Sequence, residues 1–373
     1  MRTAIVVIGA GYGDEGKGKT VDHFCESFSP ETTLVTRYSG GSQASHTVVR
    51  NGIRHAYSHF GSGTTYGCST YLDENFILNP IVFRHEWEEL QQLGINPTVY
   101  ANYKCKITTI FDMLMNHIDE YDRGNNRHGS CGLGINRTIN RHEDIKFTMN
   151  MIHDKSVLKR IQEYYPKVKL PNDYILEKFQ DDLMFMFNNL MFDDNSIYKN
   201  YQHVIFEGSQ GLQLEEDSGN FPHVTRGYVG IRNIIKDLKS FDECNINYVH
   251  RIYQTKHGAG PFDHEMDLKP FFSIIDQTNI PNEFQGSLRF APIDLDKMFN
   301  TINRDIMHHI YHNYNVKFNY NLCITCMDQI RNSEFVPYIL NNKFCIGDDK
   351  EITDILFNKC KDNGLNLIFL TGV

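Results

Sequence analysis

The chain has 373 residues, 40% of them hydrophobic and 22% charged, which is the balance of a folded globular protein and not of a disordered one. Its 37 Lys and Arg against 46 Asp and Glu leave a formal charge of −9. That excludes the broad basic face that nucleic acid needs, while allowing a local basic pocket for one small phosphate compound.

Residues 3–9, TAIVVIG, are a β-branched apolar run ending in glycine and read as a buried strand. A helix over 18–28 and a second strand over 33–38 follow. The stretch 79–94 has helical apolar spacing, with Asn79 as cap and Gly94 as stop. A strand is predicted at 97–101 and helices near 108–121, 153–164 and 172–191. Further strands are predicted at 203–208, 248–255, 320–326 and 366–370. This alternation predicts an α/β fold: one large domain, 1–373, whose central, mostly parallel sheet is flanked by helices. Polar, glycine-rich stretches at 122–150, 208–227 and 257–265 read as functional loops. Ligands of such sheets gather at the carboxyl ends of strands.

No run reaches the ~20 apolar residues of a membrane helix, and the opening segment lacks a signal-peptide pattern. Nine irregularly spaced cysteines read as reduced thiols, so a cytoplasmic location is expected. Cys323 and Cys326 form a C-x-x-C that reads as part of a buried strand, LCITC. His308 and His312 sit four apart in a helical pattern and read as a solvated face.

The segment from Gly9 to Thr20 fits two patterns at once: G-x-G-x-x-G from Gly11 to Gly16, and G-x-x-x-x-G-K-T from Gly13 to Thr20. The dinucleotide reading needs an acid at the end of the second strand. That strand ends in Arg37-Tyr38-Ser39-Gly40, which argues against it. The phosphate-loop reading has a mechanism: backbone N–H groups and a helix N-terminus face phosphates, and Lys17 supplies charge. Asp14 and Glu15 inside that loop are unfavourable unless they hold a metal or do chemistry. A P-loop-like nucleotide site is therefore expected at the N-terminus.

Nine short motifs stand in order along the chain. Gly11-Tyr-Gly-Asp-Glu-Gly-Lys-Gly-Lys19 resembles G-x-W-G-D-E-G-K-G-K, with Tyr12 for Trp. Arg37 to Thr47 resembles R-Y-x-G-G-x-N-A-G-H-T, and His59 to Gly63 resembles H-x-x-P-S-G. Gly129 to Gly134 resembles G-T-T-G-R-G, and Glu207 to Gly211 resembles E-G-A-Q-G. Phe221 to Thr225 resembles Y-P-Y-V-T, Gly258 to Phe262 resembles V-G-A-G-P-F, and Thr325 to Asp328 resembles T-K-L-D, with Thr371-Gly372 as the closing motif. Together these motifs make the chain resemble the adenylosuccinate synthetase family.

The resemblance implies a ligase. GTP phosphorylates the 6-oxygen of a purine nucleotide, and the amino group of L-aspartate displaces that phosphate. Asp14 matches the base that removes the N1 proton and also a Mg²⁺ ligand. His46 and Gln210 match donors to the charged 6-oxygen. Glu15, Gly16, Lys17, Gly18, Lys19, Thr325, Asp328 and Gly372 match the GTP site, where Asp328 accepts from guanine N1 and N2. Ser45 stands where a backbone carbonyl binds Mg²⁺. Gln43, Ser130 and Thr225 match positions around the acceptor's phosphate, and Arg141 lies near an arginine that reaches it from a neighbouring subunit of a homodimer.

Departures fall on substrate contacts. The aspartate loop T-T-G-R-R-R-R is Phe284-Gln-Gly-Ser-Leu-Arg-Phe290 here. Arg289 alone remains as a carboxylate fork. Ser287 stands where an arginine reaches the ribose 2′-OH, His257 replaces a Val beside it, and Cys131 replaces a Thr near the aspartate. The chain is also short for the family. These changes resemble a phage-type branch that condenses dGMP, on the way to 2-aminoadenine DNA, in a host's cytoplasm. Members of that branch replace the base Asp with a smaller residue, yet Asp14 is kept. The reading leans to dGMP, with IMP and ordinary AMP synthesis as the alternative. An NTPase without ligation, with Glu207 ending a strand as a metal-binding acid, is a third reading, and a non-enzymatic nucleotide-binding decoy that has lost its arginines is a fourth.

Overall fold

A computed structural model describes residues 1–218, 220–274, 279, 285–310, 316–331 and 334–370. Two compact units divide the chain: Met1–Val21 with Gln210–Val373, and Asp22–Ser209.

In the first unit, parallel strands run in the order Asn366–Leu370, Lys317–Thr325, Glu243–Arg251 and Thr3–Gly9. Every residue of Thr3–Gly9 is buried. An unbroken apolar run, without alternation, suits a strand covered on both faces of a parallel sheet. The predicted strand at 248–255 is two strands. Glu243–Arg251 belongs to the parallel sheet, and Tyr253–Lys256 starts a second sheet with Arg289–Asp294, Val336–Leu340 and Lys343–Gly347. The change of sheet falls at Ile252, whose N–H turns to the Thr325 carbonyl at 3.0 Å.

The second unit orders parallel strands as His203–Gly211, Thr33–Arg37, Ser69–Leu72, Val99–Asn102 and Met191–Asp193. His203–Gly211 runs on into the first unit at Gln210. The helices Pro80–Gln92, Ile110–Arg123 and Asp173–Asn189 bury Phe83, Phe111 and Phe179 in one apolar cluster. Asn79 caps the first of these helices as expected, its side-chain oxygen accepting from Ile81 N and Val82 N at 3.2 and 3.3 Å. The fold is thus α/β, built on mostly parallel strands flanked by helices.

Several elements lie outside the predictions, among them a hairpin and a helix in a polar stretch. A hairpin pairs His46–Arg50 with Ile53–Tyr57 around Asn51 and Gly52, whose φ of 49° and 78° suit a two-residue turn. The polar stretch 122–150 holds a helix, Ile135–Asp144, that buries Thr138 and Arg141. Tertiary pairing of Arg141 with Asp112 organises a segment whose Asn and Thr content alone disfavours helix. Cys323 is buried in its strand, as the strand reading of the C-x-x-C expects, whereas Cys326 is buried but lies just past the strand's end at φ 63°. Among the described residues no helix is long and apolar enough to cross a membrane.

Phe83 is fully buried. Phe83→Ala should destabilise the protein by roughly 3–5 kcal/mol in urea unfolding. A loss below about 1 kcal/mol would show that the cluster collapses to refill the space.

Candidate active site

In the first unit the glycine loop closes around a buried carboxylate. Glu15 accepts from Gly11 N at 3.1 Å, from Gly13 N at 2.8 Å and from Lys17 Nζ at 2.6 Å. Both ends of the Glu15–Lys17 pair are buried. Burial pushes the Glu15 carboxyl up, but the charge and hydrogen bond of Lys17 and the Gly13 N–H outweigh it, so it lies below the usual range. The expectation of a phosphate cradle is thereby narrowed: the N–H groups of Gly11 and Gly13 already serve Glu15. The donors that remain suited to phosphate lie at the start of the helix Lys17–Glu26. Its first such bond runs from Thr20 N to Gly16 O, so the N–H groups of Lys17, Gly18 and Lys19 precede it. Thr325 is buried, and its hydroxyl donates to the Glu15 carbonyl at 2.8 Å, which makes it a brace for the loop.

Asp14 sits at the turn of this loop with φ 59°, a left-handed conformation unusual for a non-glycine residue. Three neighbours hold it. Arg251 Nε donates to the Asp14 carbonyl at 2.5 Å, and Thr255 Oγ1 donates to the Gly13 carbonyl at 2.9 Å. His257 Nε2 lies 2.8 Å from Asp14 Oδ2. Burial raises the Asp14 carboxyl, but the hydrogen bond and charge of His257, with Arg251 and Lys17, bring it below its ordinary 3.8. His257, expected beside the ribose, contacts the candidate base, and its Nε2 is also 3.0 Å from Asn279 Oδ1. Arg251 was not singled out from the sequence; an arginine one residue past a buried strand core carried no signal of its own.

In the second unit the segment 40–47 gathers polar groups at the end of its sheet. His46 Nδ1 is 2.6 Å from Glu207 Oε1. Ser62 N donates to Glu207 Oε2 at 3.0 Å and Ser62 Oγ donates to Oε1 at 2.5 Å. The parallel register sets Glu207 beside Arg37. Burial pushes the Glu207 carboxyl up, and His46, Arg37 and Ser62 together bring it below the usual range. Arg37 itself is fully buried and donates to Ala44 O at 2.8 Å and Phe60 O at 3.2 Å, tying the loop to its strand. Among the described residues, the buried atoms Ser42 Oγ and Gln43 Oε1 have no hydrogen-bond partner. A buried polar atom left so costs about 1–3 kcal/mol, so Gln43 suits a ligand that supplies a donor.

The remaining expected residues divide. Ser130 Oγ accepts from Asn116 Nδ2 at 2.9 Å in the second unit. Cys131 is half-buried, and burial pushes its thiol up. Thr225 is half-buried, its N–H bonded to Leu214 O at 2.7 Å. Gln210 is half-buried, while Ser287, Asp328 and Ser45 are exposed. His308 meets Arg232 NH2 through Nε2 at 2.7 Å. Gly372 and His312 lie outside the described residues.

Two expectations need correction. Arg141 is not available to a neighbouring subunit. It is fully buried and forks onto Asp112 at 2.9 and 3.1 Å, with its other donors on Ile145 O and Ile107 O. Arg289 is not an open carboxylate fork. Glu265 takes its Nε and NH2 at 2.9 and 2.5 Å, and the carbonyls of Gly258 and Gly260 take NH1. An arginine has five N–H donors, so a substrate carboxylate must displace Glu265 to be gripped bidentately.

A family model described as adenylosuccinate synthetase matches residues 6–285. The chain belongs to the adenylosuccinate synthetase family. It is 31% identical over 290 residues to the adenylosuccinate synthetase of Actinobacillus succinogenes and 30% identical over 289 to that of Pasteurella multocida. Each match takes in 71% of this chain and 66% of the relative, so the chain spans just under two thirds of the curated relatives' length. Among solved structures, the fully ligated adenylosuccinate synthetase of Plasmodium falciparum matches at TM-score 0.73 and 16% identity, covering 99% of this chain and 97% of that one. The cyanophage S-2L succinoaminodeoxyadenylate synthetase, bound to dGMP and to dATP as an energy donor, matches at TM-score 0.62 and 12% identity, covering 100% and 93%. At these identities the two structures establish the shared fold.

The donor chemistry fits a Mg²⁺ ion. Asp14 offers an ionised carboxylate oxygen, and Mg²⁺ is commonly bound by one or two carboxylates together with substrate phosphates and water. Among the described residues no group of three or more His, Cys, Asp or Glu side chains forms a metal cluster, so the other ligands would come from carbonyl, phosphate and water oxygens.

Two expectations follow from this geometry. Arg141→Ala should lower stability by roughly 3–5 kcal/mol, because it strands a buried Asp112. The folded fraction should keep its nucleotide affinity, and a tenfold loss of nucleotide binding with unchanged stability would restore the phosphate role. His257→Val should raise the Asp14 carboxyl toward its ordinary 3.8, read by carboxyl-carbon NMR titration. Because the folded value is depressed, the stability Asp14 contributes is present above about pH 4 and lost as pH falls through the folded value. The variant should flatten that acid limb, and an unchanged limb would show that Arg251 and Lys17 set the shift instead.

Proposed function

We propose that this chain is a GTP- and Mg²⁺-dependent ligase that joins L-aspartate to C6 of a 6-oxopurine nucleoside monophosphate. The observation that carries the reading is Asp14: an ionised carboxylate held in a left-handed turn of the family's glycine loop, braced by Arg251 and His257. An ionised carboxylate so fixed suits a base that takes the N1 proton and makes O6 nucleophilic. O6 attacks the γ-phosphoryl of GTP, with GDP leaving. The aspartate amine then attacks C6, phosphate leaves with the C6–O bond, and the amine loses a proton. A Mg²⁺ ion bound through Asp14 would neutralise charge on the transferring phosphoryl group. His46 and Gln210 supply hydrogen bonds to the oxygen that gains charge.

Asp328, exposed just after the strand Lys317–Thr325, favours GTP, because a carboxylate pairs with guanine's two donors and repels adenine N1. For the acceptor we favour dGMP. Ser287 and His257 replace residues that contact the ribose 2′-OH in the family pattern, and His257 is drawn onto Asp14. The cyanophage S-2L relative is described with dGMP bound, which supports the same choice. IMP is the second reading, supported by the two curated relatives above, each named an adenylosuccinate synthetase. A homodimer in the cytoplasm belongs to this proposal, without Arg141 as a residue exchanged between subunits.

A coupled assay decides among these. Protein, GTP, Mg²⁺ and L-aspartate are offered dGMP or IMP in parallel, with phosphate release and product mass recorded. Product on dGMP at a kcat/KM at least about tenfold above IMP is expected, a preference of about 1.4 kcal/mol. Preference for IMP would place the chain in AMP synthesis. Phosphate release without a ligated product would leave an NTPase.

A further inference from the structure

We propose that Glu207 is the positioning residue of His46, holding its proton on Nδ1 so that Nε2 is the edge offered to the reaction. The proposal rests on the role given to His46 above, and Glu207 has been given no part in that chemistry.

Glu207 is fully buried at the sheet end, on the strand His203–Gly211. An ionised carboxylate only accepts hydrogen bonds. Its Oε2 takes the Ser62 N–H at 3.0 Å, and its Oε1 takes the Ser62 hydroxyl and the His46 ring at 2.5 and 2.6 Å. The ring nitrogen facing it must therefore carry the proton, which settles the tautomer and the ring plane together. Arg37, one strand away in register, balances the carboxylate, so the pair stays charged where an isolated acid would not. The negative charge also favours positive charge on the imidazole as the reacting oxygen becomes an anion. A carboxylate that only propped up the fold would not need a histidine on the same oxygen as the serine hydroxyl.

Ser62 makes the test sharp. Its backbone N–H is a fixed donor, so in Glu207→Gln the amide oxygen must stay on Ser62 N and the NH₂ must face His46. That group donates to Nδ1 and drives the ring proton to Nε2. The full chain labelled with ¹⁵N-histidine is studied without ligands, His46 being assigned by its loss in His46→Asn. In the wild type, Nδ1 should show the protonated signature, and in Glu207→Gln the unprotonated one. Turnover with GTP, Mg²⁺, aspartate and the preferred nucleotide should fall at least about 100-fold in kcat, with each KM within about threefold of the wild type. Glu207→Asp keeps the charge and the Nδ1 proton, and should recover part of kcat; it also carries both readouts if the glutamine variant does not fold. A wild-type His46 with Nδ1 unprotonated overturns the proposal. So does a switched tautomer with kcat within about threefold of the wild type. If the wild type ligates neither nucleotide, the ligase reading fails, while the Nδ1 signals of wild type and Glu207→Gln still decide whether Glu207 sets the tautomer.

Discussion

The buried carboxylate of Glu15 is the constraint on which the first unit's site depends. It gathers the Gly11 and Gly13 N–H groups and the Lys17 ammonium into one point. The glycines around it are required by that closure. A Cβ on Gly9 would lie 2.5 Å from Glu15 Oε2, and one on Gly211 would lie 2.1 Å from the Gly11 carbonyl. With Glu15 inside and the backbone closed upon it, the next residue outward is Asp14, forced to positive φ. The strain at Asp14 and the burial of Glu15 are two sides of the same turn. A loop that spends its own N–H groups on an internal acid is stiff by itself, and stiffness is what the base proposed at Asp14 needs.

The second unit solves a similar problem with different parts. Glu86 is buried and accepts from the N–H groups of Ser58, His59 and Phe60, between 2.7 and 3.3 Å. The carboxyl is held at about 2, because the hydrogen bonds of His55 and His59, the charge of His59 and the His59 N–H outweigh a burial that raises it. Arg37 reaches the carbonyls on either side of the same loop. Burial alone would protonate each of these acids, and each is kept ionised by donors aimed at it. The site-bearing loops of both units are thus ordered by buried charge paired with neighbouring groups. Apolar packing dominates away from them, in the cluster around Phe83 and Phe111.

Two residues in the segments that depart from the family pattern meet carboxylates. His257 meets Asp14, and Arg289 meets Glu265. Tyr12, in place of Trp, packs edge-on against Phe262 at 5.4 Å and accepts from Lys297 Nζ at 2.8 Å. A tryptophan could fill the apolar part of that space but offers no oxygen to the lysine.

From the sequence alone, the alternation of apolar strands and amphipathic helices determined the α/β class. The run Thr3–Gly9, the Asn79 cap and the glycine loop were legible because each is set by neighbours in sequence. The Asn51-Gly52 turn is equally local. What local order does not carry is pairing across the chain. Arg141 looked like a solvent-facing phosphate ligand because nothing near it in sequence announces Asp112, 29 residues away. Arg289 looked like an open fork because Glu265 is 24 residues away. Glu207 finds His46 across 161 residues. Spacing on a helix or in a loop states which residues are neighbours along the chain. Only the tertiary structure states which charge meets which, because a buried ion takes its partner from whatever strand or loop the packing brings within hydrogen-bond reach.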